Sequence, residues 1–184
     1  MRKWMMSGLG LCLLLAGQTR PTTQSSGNGF ADFSLSEPRI QDLKGFTYFH
    51  TSRKITIRQM NQVMGTEVQK AVAAARNQIN GPLVLTMHGM TANADQPFDI
   101  DTGFPVDKGG PAPDGFSVSD VPTKRFATVI YSGPLGQMGL AYRKIYSTIF
   151  GAGMMPGDES RQYFLYWEGA DSVNNVMMIA VEVQ

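Results

Sequence analysis

The densest set of side chains able to do chemistry is the run RQYFLYWEGADS, residues 161–172. Read as a strand, it alternates: Gln162, Phe164, Tyr166 and Glu168 share one face, and Tyr163, Leu165 and Trp167 the other. Aromatic rings with one amide and one carboxylate have the makeup of a small-molecule pocket, with apolar walls and a few orienting polar groups. A carboxylate at Glu168 among rings would attract organic cations through its charge and the ring quadrupoles. The pair Trp167-Glu168 also suits general acid–base work, if burial against the indole raises the carboxyl. The plain structural alternative is that Glu168 caps the turn at Gly169 and stays solvated while the aromatics fill core.

Other chemistries find less support. His50 and His88 are the two histidines, and neither has an acidic or cysteine partner at metal-ligand spacing, so no metal site is expected. There is no Gly-x-Ser-x-Gly and no histidine next to a plausible serine, and the one cysteine, Cys12, lies near the start of the chain. Gly109-Gly110 sits in a proline-rich loop with no helix after it, which argues against a phosphate cradle. The 16 basic and 15 acidic residues are spread along the chain, and the net charge is +1. Nucleic-acid binding needs a concentrated basic face, so no such partner is expected.

The elements that must position these residues come next. Lys44–Met60 opens aromatic and ends with Ile55 and Ile57 alternating with polar partners, as one long strand or two around a Thr-Ser turn. A helix opening at Asn61 or Gln62 carries Met64, Val68, Val72, Ala75 and Ile79 at steps of three and four, and Gly81-Pro82 ends it. Strands follow at Leu83–Met90 and Phe98–Val106, the second interrupted by Gly103, which marks a bulge or a close backbone approach. After a loop the series repeats: strand Arg125–Tyr131, helix Leu135–Phe150, strands Gln162–Glu168 and Val176–Val183. Two copies of one small α/β unit fit this order, although residue identity between the halves is weak.

The segments FDIDTGFPV, RFATVIYSGP and GLAYRKIYSTIFGAG, in this order and spacing, resemble the GyrI-like effector-binding family, the ligand-sensing domains of AraC-type and MerR-type regulators. The resemblance covers residues 43–184. It implies an α+β fold of two βαββ modules (the duplicated SHS2 type, related to SOUL proteins). These would form one curved antiparallel sheet, with two helices on one face and a ligand cleft between the modules. Many relatives carry an R-E-x-Y pattern whose acid points into the pocket. Here Gln162 stands where the acid would be and Phe164 where the tyrosine would be, which puts a cation preference in doubt. Tyr48 and His88 are the first-half counterparts of the pocket residues. SOUL kinship makes haem ligation by His88 conceivable, but a core histidine is the preferred reading and no cofactor is expected.

At 184 residues, 42% hydrophobic and 17% charged, the chain suits one globular domain. Residues 1–18 read as an export signal: Arg2 and Lys3 precede an apolar run, Met5–Ala16, too short for a comfortable span. An uncleaved anchor is the alternative and would give the only membrane contact. Leu11 before Cys12 is a poor fit to lipoprotein processing. Residues 19–42, rich in Thr, Ser, Gly and Asn, read as a flexible tether. The resulting expectation is an exported, stand-alone domain for a small organic ligand, cations included. The alternatives are a hydrolase of reactive compounds using Glu168 and a macromolecular inhibitor.

Overall fold

The computed structural model describes residues 33–107 and 110–184, so the expected export signal (1–18) and most of the expected tether (19–42) lie outside the described residues. In chain order the elements are β1 (Ser34–Leu35), β2 (Arg39–Leu43), β3 (Phe46–Ile55), α1 (Ile57–Ala75), β4 (Leu83–His88), β5 (Phe98–Pro105), β6 (Ser117–Val121), β7 (Lys124–Ser132), α2 (Gly139–Gly151), β8 (Pro156–Tyr166) and β9 (Val176–Val183). The strands form one open antiparallel sheet in the order β1-β7-β9-β8-β4-β5-β3-β6, with β2 also on β7. The fold is α+β. Its two βαββ modules, β3-α1-β4-β5 and β7-α2-β8-β9, join where β4 pairs with β8.

Both helices cover the same face. Gln162 of β8 lies opposite Leu85 of β4 and Ile179 of β9, and directly opposed residues share a face. Leu85 packs in the core that meets Met60 and Met64 of α1, and Ile179 in the core with Ala141, Ile145 and Ile149 of α2. Those last three residues, at steps of four, are the buried stripe of α2. In α1 the buried residues are Glu67, Ala71 and Ala75, about a third of a turn from the expected Val68–Val72 line. The helix also starts earlier than expected. Gln59 Oε1 accepts the Thr56 N–H at 2.9 Å, a capping-box contact that begins the helix at Ile57. The strand expected to run to Met60 therefore ends at Ile55.

Two further differences concern the ends of the sheet. Ser34–Leu35 and Arg39–Leu43, read from sequence as the end of a tether, pair with β7. The run RIQDL is largely exposed and carries little apolar signal, which suits a charged edge strand. Ser117–Val121, read as loop, is β6 at the opposite end. The two ends approach each other: the Gly45 N–H donates to Thr123 Oγ1 at 3.0 Å, and a Cβ on Gly45 would lie 2.3 Å from the Val121 carbonyl oxygen. The sheet is open but strongly curled.

Gly103 is a close approach within an unbroken ladder, with no bulge: it pairs with His50 on one side and Val84 on the other. A Cβ there would sit 1.9 Å from the Phe49 carbonyl oxygen and 2.7 Å from the His50 Cα. Both atoms are backbone, so no rotamer change relieves the clash. Gly103→Ala is expected to destabilise the domain by about 3 kcal/mol, measured as a lower urea midpoint with an unchanged slope.

Candidate functional site

On the helix-covered face, β8 presents Gln162 and Phe164 at the line where the modules meet. Gln162 is buried, and its Nε2 donates to the Tyr142 hydroxyl of α2 at 2.8 Å. Burial pushes the Tyr142 phenol up to about 12, so it stays a neutral hydrogen-bonding group. Phe164 packs against both helical cores, which places it at the seam. Trp167 meets Phe164 edge-on, with ring centroids 5.4 Å apart and planes at 71°, and its indole is 44% exposed. Gln162, Phe164 and Trp167 therefore come together, joined by Tyr142 of α2, which was not among the expected site residues.

Strict alternation would not have put Trp167 there. Phe164 pairs with Met177 and Tyr166 with Val176, so Leu165 is an extra residue on β8. One inserted residue moves every later side chain to the opposite face. Tyr166 leaves the face of Phe164, and Trp167 replaces it.

Glu168 takes the turn-capping role. Its carboxylate accepts the Tyr166 hydroxyl at 2.8 Å, the Ser172 hydroxyl at 2.7 Å and Asn174 Nδ2 at 3.0 Å. Its own N–H donates to Asn175 Oδ1 at 2.9 Å. The side chain is exposed, and the hydrogen bonds from Asn174, Ser172 and Tyr166 hold its carboxyl below the usual range. The expectation of a carboxyl raised by burial against Trp167 is thus corrected: the group is solvated and ionised.

Tyr48 and His88 lie on the other face of the sheet. Tyr48 alternates with Phe49, which packs against Ala75 of α1, and its hydroxyl donates to the Val84 carbonyl at 2.7 Å across β5. His88 is half-exposed, with Nδ1 3.7 Å from Asp158 Oδ2. A recess of about 600 Å³ lies elsewhere again, between the end of α1 and residues 110–116, lined in part by Phe49, Lys70, Arg76, Pro111 and Phe116.

That second face also holds a buried ion network. Arg161 is fully buried; its guanidinium donates to Glu159 and, at 3.3 Å, to the Tyr163 hydroxyl. Its Cζ lies 4.5 Å from the Phe126 ring centroid and 5.7 Å from that of Phe46. Glu159 also meets Lys124 Nζ at 2.8 Å, and Lys124 reaches Glu182 at 3.0 Å. Burial would raise the Glu159 carboxyl, but Lys124 and Arg161 outweigh it and hold it low. Arg161 was read only as part of a pattern; nothing in its spacing announces burial.

No family model matches the chain, and no curated protein matches it. Solved structures do. The EcmrR C-terminal domain superposes with a TM-score of 0.65 at 14% identity, covering 80% of this chain and 96% of that one. SAV2435 bound to tetraphenylphosphonium superposes at 0.59 and 11%, covering 80% and 92%. The fold is the GyrI-like effector-binding fold. A hydrolase encoded by lin2189 from Listeria innocua shares it at 0.57 and 6% identity, covering 80% and 92%. Against the longer EcmrR chain of a DNA complex, this chain spans 57% of that chain's length.

Two outcomes follow for the ion network. Removing one partner of a buried pair leaves the other charge uncompensated, so Glu159→Gln is expected to cost about 3 kcal/mol in chemical denaturation. Glu159, Glu67 and Asp101 all have lowered carboxyls in the folded chain. A depressed folded pKa gives stability that is present above the unfolded value and lost as pH falls through the folded value. The melting temperature is expected to fall below about pH 4, and less steeply in Glu159→Gln.

Proposed function

We propose that this chain is a small-molecule effector-binding domain whose ligand lies between α1 and α2. It would rest against Phe164 and Trp167, with Gln162 and Tyr142 as the polar contact. The observation that carries this reading is the Gln162–Tyr142 hydrogen bond at the seam of the two cores, beside a half-open indole. A neutral amide sits where a carboxylate would select cations, and the nearby Glu168 is spent on its own turn. The pocket thus favours neutral aromatic compounds over organic cations. SAV2435, whose structure holds tetraphenylphosphonium, supports an aromatic ligand class. The proposed setting is the cell envelope, supported by the basic start and the apolar run after it.

Thermal shift and calorimetry with tetraphenylphosphonium and with neutral triphenylphosphine oxide test this. Ligand at about 100 times its dissociation constant adds about 2.7 kcal/mol of stability. The neutral compound is expected to bind more tightly. Gln162→Ala is expected to weaken it about tenfold, and Gln162→Glu to reverse the preference toward the cation. If neither compound binds, or Trp167→Ala and Gln162→Ala leave binding unchanged, the reading fails and a macromolecular partner becomes the better one.

A further inference from the structure

The curled face carries an array that no local sequence pattern reveals. Ser119 of β6, His50 of β3 and Asp101 of β5 lie on three adjacent strands. Ser119 Oγ is 3.1 Å from His50 Nε2, and His50 Nδ1 is 3.5 Å from Asp101 Oδ1. Ser52 Oγ donates to the same Asp101 oxygen at 2.5 Å and lies 3.3 Å from Nδ1. The Tyr48 ring stacks on the imidazole, with centroids 4.8 Å apart and planes at 13°, which fixes the ring plane. Gly103 stands directly opposite His50 and adds no side chain beneath it. His50 is 7% exposed, whereas Ser119 is open to solvent. The array therefore runs from a half-buried carboxylate through a buried imidazole to an accessible hydroxyl.

The roles follow from the geometry. Burial acts to raise the Asp101 carboxyl, but hydrogen bonds from His50 and Ser52 prevail and keep it ionised. A carboxylate at Nδ1 holds the ring proton there, which turns the Nε2 lone pair toward the Ser119 hydroxyl. β6 is the outer strand of the sheet, so backbone N–H groups on its outer side would be available to an oxyanion.

We propose that Ser119 is an acyl-accepting nucleophile, with His50 as its base and Asp101 as the group that orients His50, acting on small, unhindered carboxylic esters. The Ser119 oxygen bonds to the ester carbonyl carbon while its proton passes to His50 Nε2. Collapse of the adduct breaks the C–O bond to the alcohol, which leaves with that proton and leaves acyl-Ser119. Water then attacks, giving its proton to Nε2, and the carboxylic acid departs as Ser119 recovers the proton. Ester and water become acid and alcohol. An exposed edge strand gives Ser119 no enclosing walls, so what the site requires of the ester is an unhindered carbonyl.

This site lies on the face opposite Gln162, so its test is independent of the effector pocket. The full chain is incubated with p-nitrophenyl acetate and, separately, with a fluorophosphonate probe, and adducts are located by intact mass and peptide mapping. The expected result is one adduct, on Ser119, with ester turnover that falls by roughly 100-fold or more in Ser119→Ala. Ser119 is exposed, so Ser119→Ala is expected to melt like the parent. Asp101→Asn is expected to slow adduct formation without moving its position. An adduct elsewhere, undiminished turnover in Ser119→Ala, or no adduct in the parent chain would each overturn the proposal.

Discussion

The rest of the structure depends on one buried cation. Arg161 cannot lose its proton at accessible pH, so the fold must hold a charge with no exposed surface. Glu159 neutralises it, and two aromatic faces complete its shell: Phe126 from the first strand of one module and Phe46 from the first strand of the other. In a flat sheet β3 would stand three strands from β8, roughly 14 Å away. The sheet must curl, and long side chains lean inward, for both rings to reach one guanidinium. A desolvated cation–π contact contributes about 2 kcal/mol, so straightening the sheet would cost both contacts and expose an ion pair to rearrangement.

Curling on one face sets the geometry of the other. β8 and β4 are the hinge line between modules, and Arg161 and Gln162 are neighbours on β8 that point to opposite sides of it. The residue that ties the modules together is thus adjacent to the residue that meets Tyr142 in the seam between helices. The bulge at Leu165 then turns Trp167 onto that seam and Tyr166 away from it. The arrangement at the seam is polar at one point and aromatic around it, while the Arg161–Glu159 pair lies on the far side of the sheet.

On that far side, the pairing of β6 with β3 and of β3 with β5 creates the Ser119–His50–Asp101 array. The two faces have different characters. One is an apolar seam with a neutral amide. The other is lined by ion pairs and hydroxyls and opens to solvent at an edge strand.

Much of the architecture was legible in the chain: the repeated βαββ order, the strand from Arg125, and Gly103 as a close approach. These signals are local, because periodicity and backbone space are properties of a few consecutive residues. The helix start was misplaced because a Gln59 cap reads like any polar residue. Strands β2 and β6 were missed because exposed edge strands need little apolar alternation. The grouping of Tyr48, His88, Tyr166 and Glu168 with Gln162 failed for tertiary reasons: one extra residue at Leu165 moves Tyr166 and Glu168 off that face, while β3 and β4 turn Phe49 and Met87 to the helices and so Tyr48 and His88 away from them. Sequence alone thus settled the order of the two βαββ units and most of their strands and helices, but not β1, β2 and β6. Which charge is buried, which faces are shared, and which serine meets which histidine were decided only when distant strands paired, since these are contacts between residues that no local spacing relates.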